Sequence, residues 1–288
     1  MFEGSMVALV TPFKNGEIDE KRLENLIEFQ IKNGTDGILP CGCTGEAATL
    51  STEEQKRMIK LTVDLVKGRI SVIAGTGSNS TREAIELTQY AEKVGADAAL
   101  LITPYYNKPT PRGMFLHYEK VAAAVEIPII LYNVPSRTGI SILPETVAAL
   151  SRIKNIVAIK EASGELNQAS KILSLCGITV LSGEDSLTLP ILAVGGKGVV
   201  SVVANIVPGD VADLVHNYRE GRIEEARKLH LQLFPLSRAM FLETNPLPVK
   251  AALGLMGMIE PELRLPLAEI TEGNKEKLKE VLKNYGLV

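Results

Sequence analysis

The chain has 288 residues, with 31 Lys and Arg against 34 Asp and Glu, a formal net charge of −3 at pH 7. That near balance provides no field to attract nucleic acid or an anionic membrane, and a 45% apolar content excludes disorder as the default state. No apolar run approaches the ~18–20 residues that cross a bilayer, and Met1 to Leu9 lack the basic region and long apolar core of a signal peptide. Three cysteines, Cys41, Cys43 and Cys176, are too few and odd in number for a disulfide framework, so a reducing cytoplasm is expected.

In chain order, strand-length apolar runs alternate with segments of helical period. The first strand is Met6–Val10. A helix follows over Glu20–Asn33, with Leu23, Leu26, Ile27 and Ile31 on one face, Asp19 as N-cap and Gly34 as terminator. The second strand is Gly37–Pro40. Ser51 and Glu54 form a capping box ahead of a helix carrying Met58, Leu61, Thr62 and Leu65. After the third strand, Ser71–Ala74, Ser80 and Glu83 form a second box. Strand four is Ala98–Ile102, followed by a helix near Arg112–Ala124. Strands five to eight are Pro128–Tyr132, Ile156–Lys160, Thr179–Leu181 and Gly198–Val202. Runs such as Ile129–Leu131 and Ile156–Ile159 are apolar on both faces, the mark of a parallel sheet covered by helices. Eight such units predict a closed (β/α)8 TIM barrel over residues 1–221, with 222–288 as a C-terminal extension of two or three helices.

Active sites of such barrels lie at the C-terminal ends of the strands. There the sequence supplies Gly42–Glu46, Thr103–Asn107, Tyr132–Gly139, Lys160–Ala162 and Ser182–Asp185. The three histidines fall on predicted helices, away from this rim. Lys160 is the outlier, because a lysine among apolar strand neighbours is costly to bury charged. It is either half of an ion pair, with Glu161 or another barrel carboxylate, or a neutral amine that attacks a carbonyl to form a Schiff base. Tyr132, one strand over, is either a rim tyrosine with a buried ring or a proton shuttle whose pKa is lowered by nearby positive charge. Arg137 is either a solvated surface arginine or a bidentate clamp for a carboxylate. Gly42–Gly45 can present consecutive N–H groups to an anion. Gly75-Thr76-Gly77 lacks the third glycine of a dinucleotide fingerprint, and a closed barrel lacks the crevice such a site needs.

Taken together, several motifs in order carry a resemblance across essentially the whole chain. They are Val10–Phe13, Thr103–Asn107, Tyr132–Gly139, Ile159–Glu161 and Glu243–Lys250. The sequence resembles the pyruvate-dependent class I aldolase superfamily, and within it the dihydrodipicolinate synthase family. The resemblance implies condensation of pyruvate with L-aspartate 4-semialdehyde to 4-hydroxy-tetrahydrodipicolinate, the first committed step of the diaminopimelate route to lysine. It implies that Lys160 forms the Schiff base, that Tyr132 is the general acid/base, and that Tyr106 joins a proton relay by entering a neighbouring subunit. Thr44 would hold the pyruvate carboxylate and Arg137 the carboxylate of the aldehyde. Gly183 and the backbone of Val200 would line the pyruvate pocket. No metal or organic cofactor is implied, and a homotetramer built as a dimer of dimers is.

Sibling lyases acting on sialic acid or 2-keto-3-deoxy sugar acids share this scaffold. They usually lack an arginine after the Tyr-Asn-Val-Pro turn, so Arg137 argues against them. One departure concerns Cys43, which stands where the family usually has a threonine linking the two tyrosines of the relay. A thiol is a weak donor and acceptor, so a working but altered relay is expected. Some members are inhibited by lysine. The corresponding cleft positions are Ala48, Thr52, Gln55, Asn79, Glu83 and Tyr105, with Thr52 and Gln55 replacing histidines of some inhibited enzymes.

Overall fold

The eight apolar runs pair edge to edge and leave no free edge. In a computed structural model, which describes residues 2–288, they form a closed parallel barrel. Its strands are β1 (Gly4–Ala8), β2 (Gly37–Leu39), β3 (Ser71–Gly75), β4 (Ala98–Ile102), β5 (Ile129–Asn133), β6 (Ile156–Glu161), β7 (Thr179–Ser182) and β8 (Gly198–Ser201). The ring closes where Met6 of β1 lies opposite Val200 of β8 and Gly37 of β2. Side chains alternate in and out along each strand. Inward residues such as Met6, Leu39, Ile73, Leu100 and Leu181 fill the barrel, whereas outward ones such as Val7, Ile38 and Leu131 pack under the helices.

The main helices between strands are α1 (Glu20–Lys32), α2 (Thr52–Val66), α3 (Thr81–Val94), α4 (Pro111–Ala122), α5 (Pro144–Leu150), α6 (Leu166–Leu175), α7 (Thr188–Ala193) and α8 (Pro208–Arg219), and a single helical turn, Pro135–Thr138, follows β5 and carries Arg137. The starts read from sequence are realised in side-chain caps. The Asp19 carboxylate accepts from Arg22 N, and Ser51 and Glu54 cap each other reciprocally at α2. At α3 Ser80 accepts from Glu83 N, but the Glu83 carboxylate accepts from Ser78 Oγ at 2.8 Å, so the second box expected there is only half formed. Three further helices follow, α9 (Ile223–Ala239), α10 (Leu247–Leu255) and α11 (Glu272–Tyr285). No helix is long and apolar enough to cross a membrane among the described residues.

Two further local features differ from the sequence reading. Strand β1 starts and ends two residues earlier than Met6–Val10, because Val10, although buried, donates its N–H to the Asn205 side chain and not to a strand. The chain then makes a short hairpin, Phe13–Lys14 against Glu17–Ile18, which the sequence reading did not include. The glycines of the Gly75–Gly77 run serve packing. A Cβ on Gly75 would lie 2.1 Å from the Cys41 carbonyl oxygen, and one on Gly77 would lie 2.4 Å from Ile102 N.

Candidate active site

Lys160 and Glu161 are consecutive on β6, so their side chains leave opposite faces of the strand. Glu161 accepts hydrogen bonds from Asn133 Nδ2 (3.0 Å) and Ser163 N (2.7 Å). Lys160 points into the mouth of the barrel, 5% exposed, and makes no ion pair among the described residues. The ion-pair alternative for this lysine is therefore removed. Asp185, the other buried carboxylate nearby, is occupied by Ser201 Oγ (2.5 Å), Val202 N (2.9 Å) and Val203 N (3.1 Å).

Burial brings the Lys160 amine down to about 8, with Cys43 and Asp185 opposing the shift and Arg137 adding to it. Tyr132 sits directly across the ladder from Lys160, and the ammonium nitrogen lies 4.4 Å from the centre of its ring. The stem of Lys160 runs along Gly183. A Cβ there would come within 3.0 Å of Lys160 Cε and 2.6 Å of Ala162 Cβ, so only glycine leaves the lysine its place.

Tyr132 departs from one expectation. Its pKa is raised well above the ordinary phenol value, first by burial and then by Cys43, which outweigh the lowering effect of Arg137. The phenol therefore stays protonated and is equipped to donate. Its Oη donates to Cys43 Sγ at 3.9 Å, a long contact suited to sulfur.

The amine opens on a cavity of about 280 Å³ bordered by Lys160, Tyr132, Thr44, Arg137, Gly183 and Asn245. Val200 is not on its wall; that place is taken by Val202, two residues on, and the Val200 side chain packs inside the barrel. Asn245 has no role in the sequence reading, although it lies in one of the motifs that carry the resemblance. It comes from the segment between α9 and α10. Its Nδ2 donates to Thr44 Oγ1 at 3.0 Å, and its carbonyl accepts from Arg137 Nη2 at 2.9 Å. Its Oδ1 is buried without a partner within the chain. Because Thr44 Oγ1 accepts from Asn245, its own hydrogen is free to be donated.

A second cavity, about 360 Å³, lies across Tyr132 and Arg137, which border both spaces. Cys43, Ala48, Thr52, Gln55, Glu83 and Tyr105 line it. Asn79 does not, and its carbonyl accepts from Asn107 Nδ2 at 2.9 Å. Tyr106 is 90% exposed, in a left-handed backbone conformation, and borders neither cavity.

A barrel with an unpaired amine buried at its mouth, a protonated phenol beside it and hydroxyl and guanidinium donors around the same cavity has the outfit of a lyase working through an enzyme-bound imine. The chain belongs to the Dihydrodipicolinate synthetase family, which it matches over residues 1–285. It is 60% identical to the 4-hydroxy-tetrahydrodipicolinate synthase of Geotalea uraniireducens (strain Rf4), over the full length of both chains. Among solved structures it is similar to a chloride-inhibited dihydrodipicolinate synthase from Acinetobacter baumannii complexed with pyruvate (TM-score 0.98, 45% identity, all of both chains). It is also similar to the dihydrodipicolinate synthase from Cyanidioschyzon merolae with lysine bound (TM-score 0.96, 41% identity, 100% of this chain and 99% of that one).

Proposed function

We propose that the protein condenses pyruvate with L-aspartate 4-semialdehyde to 4-hydroxy-tetrahydrodipicolinate, the first committed step of the diaminopimelate route to lysine. The observation that carries this reading is the unpaired Lys160 amine facing a cavity that also holds Tyr132, Thr44 and Arg137. The amine attacks the keto carbon of pyruvate, and the carbinolamine loses water with a proton supplied from Tyr132. The iminium draws electrons from the methyl carbon, which loses a proton and adds to the aldehyde. The aldehyde oxygen takes up a proton to become a hydroxyl, and the α-amino group already present on the former semialdehyde attacks the imine carbon, closing the ring and expelling Lys160 as the free amine. Thr44 donates to the pyruvate carboxylate. Arg137 holds the carboxylate of the aldehyde, and Gly183 keeps the wall open.

Cys43 passes protons from Tyr132 toward Tyr106 of a second copy. Tyr106 stands 90% exposed at a loop tip, and Val194, Leu231 and Phe234 are exposed apolar side chains on a different part of the surface. Two separate surfaces of that kind suit a homotetramer built as a dimer of dimers in the cytoplasm. Residues 1–221 act as the catalytic barrel, and 222–288 as the extension that lends Asn245 to it. The larger cavity suits lysine as an effector, with Ala48, Glu83 and Tyr105 on its wall and Asn79 just outside. The bound lysine of the Cyanidioschyzon merolae structure supports an effector of that kind.

The test supplies pyruvate with aspartate semialdehyde or with sugar-derived aldehydes. Turnover with aspartate semialdehyde alone is expected, and turnover only with a sugar-derived aldehyde would assign the chain to the sibling lyases. Borohydride treatment with pyruvate should leave a mass adduct on the Lys160 peptide, and an unmodified peptide would refute the imine.

A further inference from the structure

A second lysine of the barrel mouth is more deeply buried than Lys160 and plays no part in the chemistry above. Lys250, on α10, and Glu46, on the loop after β2, are both completely buried, with Lys250 Nζ 2.5 Å from Glu46 Oε1. The same ammonium donates to the Thr11 carbonyl at 3.0 Å and lies 4.4 Å from the centre of the Phe13 ring. Arg264 lies at the same 4.4 Å distance from that ring, and its N–H reaches Glu46 Oε2 at 3.5 Å. Neither cavity includes Lys250 or Glu46.

A buried ion pair is weak evidence of stability, because desolvation offsets much of the attraction. Its geometric consequence here is specific. Glu46 holds a left-handed backbone conformation (φ 54°, ψ 35°) that a non-glycine residue adopts only when its surroundings enforce it. Thr44 is two residues before Glu46, and Asn245 is five before Lys250. Beside the contacts of Arg264 with Glu46 and with the Thr49 carbonyl, the loop and the extension are therefore joined at two junctions that bear on Thr44, first by Lys250–Glu46 and second by the 3.0 Å bond from Asn245 to Thr44. The first junction faces no cavity, whereas the second lies on the wall of the catalytic one.

We propose that Glu46 and Lys250 are positioning residues: their pair holds the loop so that the Thr44 hydroxyl accepts from Asn245 and donates into the cavity, which sets the affinity for pyruvate. This rests on the reading of Thr44 as donor to the pyruvate carboxylate. The readout is the pyruvate concentration that half-saturates borohydride trapping on Lys160, which needs no second substrate. Thr44→Val should raise it roughly 10- to 100-fold, the range for a lost hydrogen bond to a charged group. Glu46→Gln should raise it about 10-fold in the native background and about twofold or less in Thr44→Val, because the effect passes through that hydroxyl. Melting temperatures are followed in parallel, and a purely structural pair would move those alone.

If Thr44→Val leaves pyruvate half-saturation unchanged, the reading of Thr44 fails and the positioning role falls with it. If Thr44→Val raises it but Glu46→Gln has no effect, or multiplies it equally in both backgrounds, the Thr44 reading stands and the positioning role is overturned. Glu46→Asp keeps the charge and shortens the reach by one methylene. It runs through the same cycle and decides the question if Glu46→Gln does not fold.

Discussion

Two lysines are buried at the mouth of this barrel, and their surroundings set them apart. Lys250 is enclosed by a carboxylate, a carbonyl and an aromatic face, with no cavity beside it. Lys160 has no counter-ion among the described residues and opens on about 280 Å³ of space. Burial pushes both amines down, but at Lys250 the attraction of Glu46 works against it. An enclosed, paired ammonium holds structure together. An unpaired one is costly to keep charged, and that cost makes it available as a nucleophile. On the proposed reading, a buried lysine becomes reactive by virtue of what is missing around it.

The sharpest way to break this contrast is to remove each amine in turn. Lys160→Met should abolish the borohydride adduct with pyruvate and lower turnover by more than about 10⁴-fold, as loss of a covalent nucleophile does. Lys250→Met should still form the adduct. An adduct on Lys250 in the native protein would reverse the assignment. Tyr132→Phe comes next. With the hydroxyl gone and the ring kept over Lys160, kcat should fall by about 10²–10⁴-fold while the adduct still accumulates at long times.

Stability should respond in opposite directions. Lys250→Met leaves the Glu46 carboxylate buried without its partner, at a cost of about 3–5 kcal/mol in chemical denaturation. Lys160→Met should stabilise the protein by about 2–3 kcal/mol at pH 7, because it removes an amine that folding holds at about 8 against an unfolded value of 10.5. The folded-state value lies below the unfolded one, so the penalty is full below pH 8. It fades as pH rises from 8 to 10.5, where the unfolded chain binds the proton and the folded one does not. The stability gap between the native protein and Lys160→Met should therefore close over that window. The rate of imine formation should rise through the same pH 8 limb in stopped-flow measurements.

The smallest effect is expected at Cys43. Cys43→Thr puts an oxygen where a sulfur now accepts from Tyr132 at 3.9 Å. Turnover should change severalfold with a displaced pH profile, measured on purified protein with both substrates. An unchanged rate and profile would remove Cys43 from the relay.

Much of this is legible in the amino-acid sequence alone. Eight doubly apolar runs separated by capped helices leave a parallel barrel as the natural solution, and strand ends then nominate Lys160, Tyr132 and Arg137. The β1 boundary was misplaced because Val10 is as apolar as its neighbours, and only its bond to Asn205, 195 residues away, reveals that it has left the ladder. Asn245 and the Lys250–Glu46 pair escaped for the same reason. Each joins groups about 200 residues apart, and no local period records such a meeting. Of the two sequence readings of Tyr132, the shuttle requires a pKa lowered by positive charge and the other a buried ring. The pKa rises, because the depth of burial at a strand end is a tertiary property that spacing does not encode. For Ala48, Glu83 and Tyr105 the resemblance indicated a shared cleft, and one cavity does gather them, but it leaves Asn79 outside.

The junction of Asn245 with Thr44 spans 201 positions of the chain. During synthesis, every barrel strand has been translated before Asn245 is added. A nascent chain can thus have all eight strands in place while its cavity still lacks the wall that Asn245 supplies. Completion of the catalytic mouth is in this way tied to completion of translation.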